Sequence, residues 1–226
     1  MNNKGCVVLL SGGLDSTVML YGCVKEYGAE NVHPLYVNYG SKHRSYEYAA
    51  AKVSCHELGL TLKEIEVSRS IFANAALTSE SQPLPTDLKD TINVVVPFRN
   101  LSLATFGAMY ADMQQVNKIY MSPTKEDYSV FRDCRRDFFD MVESALDLGA
   151  KFEGSYFIKT PHIEMTKEQV IKRGIELGVN FLNTWTCYEP VNTKPCGTCP
   201  ACQVRAKGFA EVGIADPWLT TSIRRS

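Results

Sequence analysis

An unbroken apolar run, Cys6-Val7-Val8-Leu9-Leu10, stops at Ser11-Gly12-Gly13-Leu14-Asp15-Ser16-Thr17 and passes straight into a helical pattern. Five apolar residues in a row read as a strand buried on both faces of a parallel sheet. The glycine pair lets the backbone turn tightly and approach an anion. The helix that follows aims its unpaired N–H groups and the positive end of its dipole at the same point. Ser11, Ser16 and Thr17 add hydroxyl donors. Leu10, Ser11, Gly12, Gly13, Leu14, Asp15, Ser16 and Thr17 are therefore the candidate phosphate cradle. No lysine follows the glycines, so the pattern G-x-x-x-x-G-K-[ST] is not met.

A second cluster lies near the other end, where Cys187, Cys196, Cys199 and Cys202 place four of the eight cysteines within sixteen residues. Two successive x₂ spacings, with a fourth cysteine upstream and Pro195 and Gly197 allowing tight turns, suit four thiolates converging on one metal. Zinc is the expected ion and an iron–sulfur cluster the alternative. Disulfides fit poorly with a chain that shows no secretory leader. Cys6, Cys23 and Cys55 sit on apolar faces and read as small buried hydrophobes.

Composition excludes several classes of function. With 24 basic and 25 acidic residues the chain offers no broad positive field for a nucleic-acid backbone, so nucleic acid is not an expected partner. Lys194, Arg205, Lys207, Arg224 and Arg225 cluster late in the chain and read as a solvated surface. The N-terminal apolar run is too short for a signal-peptide core or a membrane span, and a cytoplasmic protein is expected. At 226 residues and 45% hydrophobic content, one main domain with a small appendage is expected. The boundary falls at 180/181, with an α/β domain over 1–180 and the four-cysteine segment over 181–226.

Strand and helix patterns alternate, as in a doubly wound parallel sheet with helices on both faces. Helices are expected over Ser16–Tyr27, Tyr46–Leu58, Leu101–Met113 and Arg136–Leu148. A further helix opens at the capping box Thr166-Lys167-Glu168-Gln169 and stops at Gly178. Strands are expected at Val32–Val37, Leu62–Val67 and Lys118–Met121, and Val94-Val95-Val96-Pro97 reads as a strand end leading to Arg99. Polar loops are expected over Ser79–Asn93, which carries Pro83 and Pro85, and over Ser122–Asp133. Ligands of such sheets sit beyond the carboxyl ends of the strands, so Ser11, Tyr39, Arg99 and the loop around Asp127 are expected to share one cleft.

The opening motif resembles the PP-loop ATP pyrophosphatases, which split ATP between its α and β phosphates and adenylate a substrate oxygen. The resemblance implies that the loop holds pyrophosphate and that Mg²⁺ relieves the repulsion between Asp15 and the phosphates. The whole chain resembles the QueC family of 7-cyano-7-deazaguanine synthases. It does so through Ser11-Gly12-Gly13-x-Asp15-Ser16-Thr17, Tyr39-Gly40 with His43-Arg44, Val96-Pro97-x-Arg99-Asn100 and Asp127-x-Ser129. Asp133-Cys134-Arg135, Thr186-Cys187-Tyr188 and Cys196-Gly197-x-Cys199-x-x-Cys202-x-x-Arg205 complete the match. What the resemblance implies is a four-cysteine zinc site and the ATP-dependent conversion of 7-carboxy-7-deazaguanine and ammonia to a nitrile. Adenylation of the carboxylate, amide formation and a second adenylation would follow in one site, with a homodimer as one assembly to consider.

Residue chemistry assigns catalytic roles to Ser11, Asp15, Ser16 and Arg99. The planar fork of Arg99 suits a phosphate or a carboxylate, and Asn100 follows it. Asp127 or Asp133 is placed to hydrogen-bond a guanine-like N–H edge, or else to cap the loop, while Tyr128 or Phe131 stacks on the base. His43 reads as a structural or phosphate-side contact because no paired acid is evident, and Cys134 as a buried or substrate-adjacent thiol. Two departures bear on the acceptor. Phe98 stands where the family pattern has glycine, and Lys125 to Cys134 lacks a carboxylate, a glycine and a proline of that pattern. These leave open a relative that stops at the amide or joins the acid to a protein or peptide amine. A tRNA-thiolating PP-loop enzyme with an iron–sulfur cluster and a zinc-stabilised binding module without catalysis are the remaining readings.

Overall fold

A computed structural model describes residues 4–72, 75–79, 81–84, 94–150 and 156–218, with backbone alone considered at positions 129 and 130. Five parallel strands form one sheet in the order β3-β2-β1-β4-β5. They are β1 (Cys6–Leu9), β2 (Val32–Asn38), β3 (Lys63–Glu66), β4 (Lys118–Tyr120) and β5 (Phe157–Lys159). The central strand β1 is buried along its whole length, as its unbroken apolar run requires. Val7 pairs with His33 on one side and with Ile119 on the other. The strand order reverses at β1, which opens a crevice between the ends of β1 and β4.

Alternate side chains of the strands feed two cores. Val7, Leu35, Ile119 and Ile158 face α3 (Arg99–Met113) and α5 (Arg136–Gly149), where Ala104, Ala108 and Phe139 meet them. Cys6, Val8, Leu10 and Tyr36 face α1 (Leu14–Tyr27) and α2 (Arg44–Glu57), meeting Met19, Leu20 and Cys55. The second side of α1 is buried too. Leu14 and Val18 pack against α6 (Lys167–Glu176) and α7 (Pro200–Val212) through Val170, Ile171 and Phe209. The capping box at Thr166 forms as expected, its hydroxyl accepting from the Gln169 amide.

The structure corrects three local expectations. Val94 to Val96 form no strand, and Val96 is buried in a satellite cluster with Phe72 and Leu77 while α3 begins directly at Arg99. The polar stretch from Ser122 to Asp133 contains the short helix α4 (Lys125–Val130). Asp127 caps it by accepting from the Thr124 amide at 2.9 Å and the Thr124 hydroxyl at 2.8 Å. Arg205 is not part of a solvated basic surface. It is buried, and all five of its N–H donors are taken by the Asp216 carboxylate, the hydroxyls of Thr184 and Thr186 and the Phe181 carbonyl. Lys194 and Lys207 are exposed. Arg224, Arg225, Pro85 and most of the 79–93 stretch lie outside the described residues. No helix among the described residues is long and apolar enough to cross a membrane.

Candidate active site

Where β1 ends, the chain turns through Ser11 to Gly13 and enters α1. Gly12 has φ +78°, and a Cβ there would stand 2.2 Å from the Glu47 carbonyl oxygen and 2.8 Å from the Ala51 nitrogen. Only glycine accommodates both the left-handed backbone and the close approach of α2. The hydroxyls of Ser11 and Ser16 lie 3.0 Å apart, the Gly13 amide donates to Ser11 Oγ at 3.2 Å, and the Ser11 amide donates to Ser16 Oγ at 3.2 Å. Gly13 is the N-cap residue of α1 and supplies no side-chain cap, which leaves the first-turn amides without a capping acceptor.

These groups open into a cleft of about 270 Å³ at the reversal of strand order. Leu10, Ser11, Gly13, Asp15 and Ser16 line its floor, and Tyr39, Arg99, Asn100 and Asp127 line its walls. The expectation that Ser11, Tyr39, Arg99 and Asp127 meet in one cleft therefore holds. Gly12, Leu14 and Thr17 stand outside the lining: Leu14 packs in the core beneath α6, and the buried Thr17 hydroxyl has no hydrogen-bond partner among the described residues. Tyr128, Phe131 and Asp133 also stand outside it. Tyr128 is exposed with the Arg135 guanidinium 5.9 Å from its ring centre, and the Asp133 carbonyl accepts from the Asn100 amide at 3.1 Å.

Two residues of the site escaped the sequence, Lys167, which pairs with the cleft residue Asp15, and Glu47, which lines the cleft itself. Lys167, the first residue of α6, reaches Asp15 with its ammonium 2.5 and 2.6 Å from the two carboxylate oxygens. Burial pushes Lys167 down, but Asp15, Asp127 and Glu126 outweigh it and hold its pKa above the usual lysine value. A lysine missing after the glycines is thus delivered from 152 residues away. Room for its stem comes from Gly208 on α7, where a Cβ would lie 2.6 Å from Lys167 Cγ. The second residue is Glu47, one helical turn after His43. Its Oε1 lies 3.2 Å from His43 Nε2, and its Oε2 accepts from the Ser41 hydroxyl at 3.0 Å. The paired acid that His43 was read as lacking is present. An i, i+4 His–Glu pair at the head of a helical pattern was the available signal.

Arg99 lies close enough to Tyr39 and Tyr188 for its charge to act on both hydroxyls. Burial pushes the Tyr39 and Tyr188 hydroxyls up against the pull of Arg99, so both remain protonated donors. Cys134 is pushed up to about 12 by burial, with Asp127 and Asp133 adding to it, and stays a neutral thiol at physiological pH.

The four late cysteines converge: the sulfurs of Cys187, Cys196, Cys199 and Cys202 all lie within 4.8 Å of one another. Tetrahedral thiolates on a single zinc would stand about 3.8 Å apart, given Zn–S bonds of about 2.3 Å. The Cys196 amide donates to Cys187 Sγ and the Cys199 amide to Cys196 Sγ, both at 3.2 Å. None of the eight cysteines forms a disulfide. The cluster is joined to the phosphate loop. Trp185, two residues before Cys187, donates its amide to the Gly12 carbonyl at 2.8 Å and stacks on Tyr46 of α2 with ring centres 4.4 Å apart.

A doubly wound sheet with a Ser-Gly-Gly-x-Asp-Ser loop at its reversal point, tied to a four-cysteine cluster able to hold a metal, defines a PP-loop type nucleotide-binding protein. Residues 5–213 match the family model of the queuosine biosynthesis protein QueC, and the chain belongs to that family. A 7-cyano-7-deazaguanine synthase of Caldicellulosiruptor bescii is 38% identical, covering 93% of this chain and 95% of its own. One from Leptospira interrogans is 37% identical over 95% of this chain and 90% of its own. A third, from Paramagnetospirillum magneticum, is 37% identical over 95% and 97%.

Proposed function

We propose that this chain is a 7-cyano-7-deazaguanine synthase, using ATP to convert 7-carboxy-7-deazaguanine and ammonia to the nitrile with release of AMP and pyrophosphate. The observation that carries the reading, beside family membership, is the convergence of the Ser11–Ser16 loop, Asp15 and Arg99 in one cleft, with Lys167 ion-paired to Asp15. The loop amides and the Ser11 and Ser16 hydroxyls bind the β and γ phosphates. The Lys167 ammonium offsets the charge that Asp15 brings beside them, and Asp15 is the residue that would hold Mg²⁺. Arg99 orients the substrate carboxylate so that its oxygen attacks the α-phosphorus, leaving an acyl adenylate. Ammonia captures that carbon as the amide, and adenylation of the amide oxygen lets AMP leave as the nitrile forms. Asn100 and Asp127 contact the deazaguanine. Cys187, Cys196, Cys199 and Cys202 would hold zinc, which in a closed four-thiolate site supplies folding energy.

A second reading is favoured by the 98–134 region, where Phe98 replaces the glycine of the family pattern and Lys125 to Cys134 lacks its carboxylate, glycine and proline. An altered acceptor pocket of this kind would stop at the amide or join the acid to another amine. Mass spectrometry of products from the zinc-loaded protein with ATP, Mg²⁺, ammonium and 7-carboxy-7-deazaguanine separates the two. Nitrile with AMP and pyrophosphate is the expected result. Amide or adenylate alone establishes the second reading, and no reaction removes the substrate assignment.

A further inference from the structure

We infer that His43 is the general base that activates the amine, with Glu47 as the carboxylate that positions its ring. This inference rests on the synthase reading above and adds a residue to it. His43 is 2% exposed and lines the same cleft as Ser11 and Arg99. Its Nε2 faces Glu47 Oε1 at 3.2 Å, while its Nδ1 is buried with no hydrogen-bond partner among the described residues. A buried ring nitrogen without a partner is costly, and the cost is relieved when a bound group donates to it. The ring is fixed from a second side by Tyr188, whose ring centre is 5.2 Å away.

Geometry decides which nitrogen carries the proton. Burial alone would raise the Glu47 carboxyl, but His43, Ser41 and Arg99 hold it below the usual carboxylate range. An ionised carboxylate only accepts, so in the neutral form of the imidazole the Nε2–H faces Glu47 and the lone pair lies at Nδ1. The groups facing this pair from other elements are Arg99 at the start of α3, Tyr188, and Tyr36 and Tyr39 at the end of β2 and just beyond it. Arg99 is the cation among them. None of the tyrosines competes as a base, since burial holds all three hydroxyls protonated.

Capture of the acyl adenylate needs such a base, because at neutral pH ammonia is present almost wholly as ammonium, which has no lone pair. One N–H bond of ammonium breaks, its proton passes to His43 Nδ1, and the electron pair stays on nitrogen. That pair forms the C–N bond. The tetrahedral adduct then breaks its C–O bond to AMP, which leaves with the bonding pair as the adduct nitrogen sheds its extra proton to water. No electron is gained or lost by the protein.

The test compares adenylation with amine capture in the full chain and in His43→Asn, supplied with ATP, Mg²⁺ and 7-carboxy-7-deazaguanine. ATP–pyrophosphate exchange reads adenylation. It is expected to stay within about threefold of wild type, while amide formation from ammonium falls about a hundredfold or more. Hydroxylamine is already a neutral nucleophile near neutral pH, so hydroxamate formation should stay within about threefold. Ammonium and hydroxylamine falling alike, exchange falling together with capture, or capture unchanged each overturn the assignment. A wild-type chain without exchange overturns the synthase reading instead. Should His43→Asn fail to fold, Glu47→Gln is read by ¹⁵N spectroscopy of the imidazole. Loss of the single Nε2–H tautomer together with a tenfold or greater fall in ammonium capture supports the pair, and an unchanged tautomer with unchanged capture overturns it.

Discussion

The amide of Trp185 donates to the carbonyl of Gly12 at 2.8 Å, so the segment entering the four-cysteine cluster is bonded directly to the phosphate loop. Gly12 is held from its other side by α2. Gly12→Ala must therefore shift backbone at φ +78° and relieve a 2.2 Å contact with the Glu47 carbonyl oxygen. The expected cost is about 2–4 kcal/mol of stability with loss of pyrophosphate release. Urea denaturation followed by a pyrophosphate assay checks both.

Cys199→Ser, or chelation of the wild type, should lower the melting temperature and abolish bound metal together, because the cluster contributes folding energy. The Trp185 link adds a further outcome. ATP affinity should fall at least tenfold even in the fraction that remains folded. Metal content by mass spectrometry and nucleotide titration against Trp185 fluorescence report these separately, and retained metal with normal melting would falsify the site.

Lys167→Gln leaves Asp15 as an uncompensated carboxylate beside the phosphates. Adenylation should drop by about two orders of magnitude or more. Lys167→Gln combined with Asp15→Asn should lose less than the sum of the two single changes, since each acts through the other. A double-mutant cycle on ATP–pyrophosphate exchange measures the coupling.

His162 is fully buried, and neither ring nitrogen has a hydrogen-bond partner among the described residues. Burial lowers it to about 3, with Arg173 and Lys167 adding to the effect. The unfolded chain then binds a proton that the folded chain refuses, so stability is lost as pH falls from about 6.5 towards 3. The loss is on the order of 4 kcal/mol across that window. In His162→Leu the corresponding slope should vanish, as urea titrations at successive pH values would show.

Phe98 holds φ +60° and is 75% exposed, so its ring gives up little on removal. Phe98→Gly should relieve about 1–2 kcal/mol of left-handed strain at a cost of about 0.5–1 kcal/mol in chain entropy. A net gain of about 0.5–1 kcal/mol in denaturation is expected.

The elements that sequence revealed were those in which local pattern and tertiary role agree. The apolar run at Cys6–Leu9 could only be a buried parallel strand, and Thr166 to Gln169 carried a capping box whose partners are three residues apart. Four cysteines closely spaced in sequence converge because the spacing itself imposes it. Val94 to Val96 misled because three β-branched residues look alike whether they pair in a sheet or bury one side chain in a satellite core. Lys167 was hidden for another reason. Its partner Asp15 is a tertiary neighbour, and nothing in a capping box says which way the following side chain reaches. Arg205 shows the same limit: a charged residue in a basic stretch reads as solvated unless the distant Asp216 and Phe181 are already in place.

The distance along the chain between Asp15 and Lys167 also sets an order of assembly. The loop proposed to bind phosphate is synthesised before its charge partner, 152 residues beyond Asp15, and before its clasp at Trp185 and the four thiols. A nascent chain therefore carries an incomplete loop environment until Trp185 and the cysteine cluster have emerged. With zinc in the four-cysteine cluster as proposed, metal supply would act as a late checkpoint in biogenesis, at which chains that fail to load keep an open loop and unligated thiols for proteases to find.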